Sequence, residues 1–485
     1  MQNRAVGVLM PISMLPGKYG EGAFGEEAYR FVDFLVRGGF SVWQVLPFCL
    51  PDDCHSPYKS YSSFSLNPNF IDLDTLQKKG LLTEEECLAA KERVSYTCEF
   101  SRLDAERLPL LFRAASRVTE RGEIDAFLAA HPETADFCRF MALRAANGER
   151  HHTLWKCDAP DESVRKAWEF VEYEAYTEWQ ALRDYANRKG VRIVGDLPIY
   201  VAEDSADVYF SPQNFLLDET GKPAKVAGVP PDYFSADGQL WGNPLYDYKR
   251  MKEDGFAFWR RRISFMGELF DGVRIDHFRG IESYFAIPAS ASTAREGVWH
   301  KGPGMALVRA LREAAGDSLL IAEDLGEITP AVKRLLRASG LPGMRVFQFG
   351  FFGDESPHLP HNYENDSVAY TGTHDNDTLL GYLFALDPAT RRHVFDYIGY
   401  AGEEIGEAID HVFRTMYASH AGILIFPIQD LLRFGCDTRL NTPGTAENNW
   451  AFRVTKEQLA GIDTTAFHAL AALYGRLPAE KTGED

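Results

Sequence analysis

Apolar residues fall in short runs that each end in polar or charged side chains, and this rhythm recurs eight times. The runs are AVGVLMPIS (5–13), SVWQVLP (41–47), VRIVGDLPIYV (191–201), DGVRIDHF (271–278), LLIAEDLG (319–326), GMRVFQFG (343–350), SVAYTGTHD (367–375) and GILIFPIQD (422–430). Continuous rather than alternating apolar character predicts strands buried on both faces, as in a parallel sheet. Between the runs the spacing becomes helical. Ala28, Phe31, Val32 and Leu35 form one stripe of a helix over 26–37, and Trp259, Ile263, Met266 and Phe270 one of a helix over 256–270. A helix over 330–339 is bounded by Thr329 as N-cap, Pro330 at the first position and Gly340 as the stop.

Strand and helix alternating eight times predict an α/β fold, a closed (β/α)8 TIM barrel, over an open doubly wound sheet. No Gly-x-Gly-x-x-Gly turn follows the first strand, which argues against dinucleotide binding. The whole chain, 1–485, reads as one catalytic barrel. Residues 73–189 read as a mostly helical insertion between strands two and three, and 202–255 as an aromatic-rich, irregular insertion between strands three and four. In this fold the loops after the strands build the active face, so both insertions should wall a cleft. The residues after the eighth strand, with one more helical stretch at 455–475, are too few for an appended C-terminal β-sandwich domain.

The 485 residues carry a formal net charge of −19 without a long basic run, which disfavours nucleic acid and anionic membranes as partners. No apolar run approaches the roughly 18 residues of a spanning helix. The N-terminal AVGVLMPI reads as a strand rather than a signal peptide, and the expected location is cytoplasmic. Seven scattered cysteines lack a C-x-x-C pair, so neither a disulfide framework nor a metal cluster is expected. The His151–His152 pair has no partner at ligand spacing and is given no metal role. Oligomeric state is not legible.

Carboxylates stand at the polar exits of the later strands: Asp196, Asp276, Glu323 and Asp375. Barrel strand ends converge on one rim, so residues remote in sequence can meet there. Each could serve a turn or an ion pair by itself. Together, without a thiol or metal cluster, they point to group transfer or hydrolysis by acid–base and nucleophilic steps, and glycosidic chemistry fits. The two-residue period places Arg274 and Asp276 on one face of their strand, where the guanidinium would keep the carboxylate ionised and oriented. The loop VPPDYFSADGQLWGNPLYDY (229–248) offers Tyr233, Phe234, Trp241 and Tyr246 for stacking on sugar faces, or alternatively as a loop-anchoring mini-core. HSPYKSYSSFSLNPNFIDL (55–73) offers Tyr58, Ser60 and Ser62, unless it is merely a long ordered turn.

At these residues the chain closely resembles the 4-α-glucanotransferases, also called amylomaltases, of the α-amylase clan and glycoside hydrolase family 77. The matching motifs run from GVLMPISMLPGKYGEG through SPYKSYSSFSLNP, GDLPIYVA, GVPPDYFSADGQLWGNPLYDY, RIDHFRG, AEDLG, PHNY and TGTHDNDT to NTPGT and NNW. The resemblance implies Asp276 as nucleophile, Glu323 as acid/base and Asp375 as a transition-state stabiliser. It implies Arg274 and His374 as their neighbours, Asn243 and Asn441 at the cleft, and PPDYFS as a mobile loop over it. It also implies a barrel without the amylase sandwich domain, no metal and no organic cofactor. The chain departs from the family pattern near the first strand, at SMLPGKYGEG, and at Lys59, where Gln is usual; these positions bear on outer sugar subsites.

The expected activity is transfer of α-1,4-glucan segments from a donor to the 4-hydroxyl of an acceptor glucan or glucose, by a retaining double displacement through a glucosyl-Asp276. The expected partners are maltooligosaccharides and α-1,4-glucans. The alternatives are an α-1,4-glucan hydrolase using the same carboxylates and a catalytically silent glucan-binding protein. The latter is disfavoured by the presence of all three acidic residues.

Overall fold

A computed structural model describes residues 4–51, 54–231, 236–353, 356–445 and 447–478. Eight parallel strands close a barrel: β1 (Ala5–Leu9), β2 (Val42–Gln44), β3 (Arg192–Leu197), β6 (Gly272–Ile275), β9 (Leu319–Ala322), β10 (Gly343–Val346), β11 (Ser367–Tyr370) and β12 (Ile423–Pro427). Each lies within one of the eight apolar runs, and β1 pairs with both β2 and β12 to complete the circuit. Most strand residues are buried, which is why the runs are continuously apolar. Gly7 allows the close approach of β1 and β2, since a Cβ there would lie 2.4 Å from the Val42 carbonyl oxygen. The helices Glu26–Arg37, Ala257–Leu269 and Pro330–Ser339 lie where their stripes and caps place them, and Thr329 caps the third through the Val332 N–H.

Four further strands form a separate antiparallel sheet: β4 (Lys225–Val229), β5 (Gln239–Pro244), β7 (Ser283–Pro288) and β8 (Val298–Lys301), in the order β5-β4-β7-β8. The segment read as irregular therefore contributes two strands, β4 and β5. Their pattern is masked because β4 pairs with β7, which comes after the fourth barrel strand, and its register with β5 shifts at Gly228. A Cβ at Gly228 would meet the Gln239 carbonyl oxygen at 2.2 Å. The stretch 455–475, expected as one helix, forms two, Lys456–Ala460 and Thr464–Leu473.

Between β2 and β3 the chain includes the helices Phe100–Ala115, Pro132–Ala146 and Glu162–Arg188. The last carries two buried carboxyls that brace the loop after β2. Glu172 Oε2 accepts from the Leu66 N–H at 2.9 Å, and Glu178 Oε2 from the Asp72 N–H at 2.8 Å. Burial pushes both carboxyls well above the usual carboxylate range. Replacing Glu172 with Ala strands a buried N–H, and the expected loss is about 1–3 kcal/mol. A urea midpoint unchanged in that variant would refute the brace. No helix among the described residues is long and apolar enough to cross a membrane.

Candidate active site

The strand register brings the acidic exits together. Asp196 and Arg274 are direct partners across β3 and β6, while Ile275 pairs with Ala322 across β6 and β9. The next residues, Asp276 and Glu323, therefore leave neighbouring strands at the same rim, where strand axes stand roughly 4.8 Å apart. The ladder continues past the strands: the Asp276 N–H reaches the Leu197 carbonyl at 3.1 Å, and the Glu323 N–H reaches Ile275 at 3.1 Å.

Arg274 is the hub. Its Nη1 donates to both oxygens of Asp196 at 2.8 Å and to Asp276 Oδ1 at 2.9 Å. One guanidinium thus offsets two carboxylates that would otherwise repel. The two are not equivalent: the Asp196 side chain is 0% exposed and that of Asp276 is 26% exposed. Asp196 therefore orients Arg274 and Tyr58, whose hydroxyl donates to Asp196 Oδ2 at 2.7 Å.

Glu323 is held by backbone. The His277 N–H donates to Oε2 at 2.7 Å and the Leu325 N–H to Oε1 at 2.8 Å. His277 takes a left-handed backbone, φ 49°, an uncommon conformation for a non-glycine residue, and it directs that N–H across to the neighbouring strand exit. Burial pushes the Glu323 carboxyl up to about 7; Arg274 and the two N–H groups oppose the rise, and the Asp276 charge adds to it. Next to it, Asp324 accepts from the Met344 N–H at 2.6 Å and pairs with Arg345 at 3.2 Å, fixing the turn that carries Glu323.

Asp375 sits on the loop after β11, with its side chain 44% exposed. Asn441 Nδ2 donates to Asp375 Oδ1 at 2.6 Å, Arg439 Nη2 donates to the Asp375 carbonyl at 2.5 Å, and His374 Nε2 lies 3.4 Å from Oδ1. Truncating Asn441 to Ala removes a hydrogen bond to a charged group, about 1.5–3 kcal/mol. If Asp375 acts in the reaction, kcat/KM for a maltodextrin should fall by roughly 10- to 100-fold. An unchanged kcat/KM would exclude that link.

The aromatic residues divide. Tyr58 stacks on His374, ring centres 5.1 Å apart, and Trp450 lies 6.0 and 5.9 Å from these two rings. Trp241, on β5, meets the His277 ring edge-on at 5.0 Å, beside Asp276. Tyr246 is buried and donates to the Ile199 carbonyl at 2.8 Å, so it anchors the loop instead of lining the cleft. Asn243 is likewise buried, its Nδ2 donating to the Val201 carbonyl at 2.8 Å. Ser60 and Ser62 also bond within their own loop. Tyr233 and Phe234 lie outside the described residues. The sequence assigns no role to Trp450, Arg439 or His277.

A closed parallel barrel whose neighbouring strand exits share a buried arginine, an accessible aspartate and a raised-pKa glutamate defines the class of barrel proteins built for paired-carboxylate chemistry. Within it, the family model for 4-alpha-glucanotransferases of glycoside hydrolase family 77 matches residues 10–459, and the chain belongs to that family. It is 38% identical to a 4-alpha-glucanotransferase of Clostridium butyricum, over 96% of this chain and 100% of that protein. Identity to the enzyme of that name from Thermus thermophilus is 41%, over 98% of this chain and 99% of the relative. Among solved structures, an amylomaltase from Streptococcus agalactiae in complex with acarbose superposes with TM-score 0.93 at 37% identity, covering 98% of this chain and 100% of the other. An amylomaltase from Corynebacterium glutamicum, 20% identical, shares the fold at TM-score 0.83, covering 98% of this chain and 75% of its own.

Proposed function

We propose that this protein is a 4-alpha-glucanotransferase acting on maltooligosaccharides and α-1,4-glucans, with Asp276, Glu323 and Asp375 as its catalytic residues. The observation that carries the assignment is the contact across β6 and β9: the residue after Asp276 donates its N–H to Glu323, so both carboxyls serve one rim position. The family match over residues 10–459 and the acarbose-bound relative support a glucan as the ligand. The reading takes residues 1–485 as one barrel with 73–189 and 202–255 inserted on it. A cytoplasmic setting is part of it, supported by seven cysteines without paired spacing.

In the first step the Asp276 carboxylate attacks the anomeric carbon of the donor. The bond to the departing chain breaks, and the Glu323 carboxyl gives its proton to that chain's 4-oxygen. A glycosyl ester on Asp276 remains. Glu323, now a carboxylate, takes the proton from an acceptor 4-hydroxyl, the new oxygen bond forms, and Asp276 is released with the α configuration retained. Asp375, braced by Asn441 and Arg439, would bind ring hydroxyls as charge develops. Tyr58 and Trp241, both part-exposed, offer flat surfaces for sugar rings, and the buried His374 and Trp450 rings back Tyr58.

Incubation with maltotriose alone tests the assignment. Transfer yields free glucose together with chains longer than the substrate, at a constant number of reducing ends. Reducing ends that climb with no longer chains would identify the hydrolase alternative instead.

A further inference from the structure

We propose that His151, His152 and Asp204, with Glu203 beside them, form a binding site for a divalent transition-metal ion of the zinc type, separate from the carboxylate rim. Spacing along the chain assigns the histidine pair no such role, because no third ligand stands nearby in sequence. The fold supplies it from the loop after β3, some fifty positions on. One ring nitrogen from each histidine and an Asp204 oxygen all lie within 4.8 Å of one another. His152 Nδ1 is 3.0 Å from Asp204 Oδ1, and His151 Nε2 is 3.6 Å from Glu203 Oε1. Tetrahedral zinc with bonds of about 2.0–2.1 Å to nitrogen and oxygen needs ligand atoms roughly 3.3 Å apart. The His152–Asp204 separation is already near that value, and the His151 ring, within 4.8 Å of both, would close in on the ion.

The surroundings fit an ion-binding role as well. His151 Nδ1 accepts from the Thr153 N–H at 3.3 Å and lies 2.9 Å from the Thr153 hydroxyl, which fixes the ring and turns Nε2 toward Glu203. Asp204 is held from both sides: Arg144 Nη1 donates to Oδ2 at 2.8 Å, and the His152 N–H donates to Oδ1 at 2.9 Å. Trp155 and Tyr209 pack beside the His152 ring and give the site an apolar flank. The carboxylates Glu203, Asp204 and Glu149 outnumber the nearby cations Arg144 and Lys222, so the local field favours a dication. Imidazole with carboxylate is a donor set for zinc and its neighbours, not for calcium or magnesium, which take oxygen ligands.

Such an ion would be a clamp. His151 and His152 follow the helix Pro132–Ala146, while Glu203 and Asp204 lie between Val201, which receives Asn243, and Ser205, which caps the next helix. That helix bears Asp207, which accepts from the Ser63 N–H in the loop carrying Tyr58. Binding the ion would join the inserted helices to the cleft-forming loops without touching the carboxylate rim.

The test uses tag-free, chelator-treated full-length enzyme titrated with Zn²⁺ alone, followed by calorimetry and thermal melting. The expected result is one ion per chain and a raised melting temperature, both lost in the His151→Gln/His152→Gln double variant. That variant's metal-free transfer on maltotriose should match the native enzyme. Cu²⁺ added to the native enzyme should give an electron paramagnetic resonance spectrum split by two nitrogens, which keeps the test sound if the double variant folds poorly. No zinc uptake by the native enzyme, equal uptake by the variant, or a Cu²⁺ spectrum without paired nitrogen coupling would each overturn the proposal.

Discussion

Asp276→Asn is expected to lower kcat by on the order of 10⁴-fold or more, about 5 kcal/mol of transition-state stabilisation, while leaving the protein folded and able to bind maltodextrins. Arg274 decides both outcomes. In the native protein its Nη1 holds Asp196 through both oxygens and Asp276 through one. An asparagine still offers an oxygen to that donor, and the pair with Asp196, whose side chain is 0% exposed, remains closed. No buried charge is orphaned, so the large destabilisation that follows the breaking of a buried pair is avoided. The lost group is the anion that would bond to the anomeric carbon. Rates, melting temperature and a dissociation constant for a non-reactive oligosaccharide separate the two effects. Turnover within about tenfold of native would remove Asp276 from the nucleophile's role, whereas a collapsed melting temperature would place its importance in folding.

Parts of this molecule are legible in its sequence because one physical cause acts on each of them. Barrel strands are buried on both faces, so they read as apolar runs, and their rim ends read as polar exits. Asp196, Asp276, Glu323 and Asp375 stand at or just past those exits. What they do there is less legible. Asp196 and Asp276 look alike in sequence, yet only burial separates the aspartate that holds Arg274 from the one that stays open. Asn243 and Tyr246 resemble ligand contacts in composition, but their polar atoms are committed to Val201 and Ile199, which no spacing reveals. The antiparallel sheet was hidden for a related reason. KVAGV gains its strand identity from SYFAIP, a partner that comes only after the fourth barrel strand. Contacts that close over long stretches of chain leave no local periodicity, and the same holds for Asn441 against Asp375 and His152 against Asp204.

Glu323→Gln should remove the proton donor while keeping the shape of the site. For ordinary maltodextrins kcat/KM is expected to fall by about 10²–10⁴-fold, the usual share of general acid catalysis. Gln retains an oxygen able to accept from one of the two backbone donors, His277 or Leu325. Native Glu323 is raised to about 7, chiefly by burial, so below that pH it is mostly protonated and ready to donate to the leaving oxygen. As pH rises through this value the protonated fraction drops, and kcat/KM of the native enzyme should decline about tenfold per pH unit on the alkaline side. The variant should lose that decline, because its residual rate no longer depends on a titrating acid. A donor with a leaving group needing no proton, such as α-maltosyl fluoride, should restore the first step in Glu323→Gln. Since the second step still lacks its base, the glycosyl ester on Asp276 should accumulate and appear as added mass on the intact protein. If the fluoride donor is no better than a maltodextrin, and the alkaline decline persists in the variant, the titrating acid is a different group and the division of labour between the two carboxyls fails.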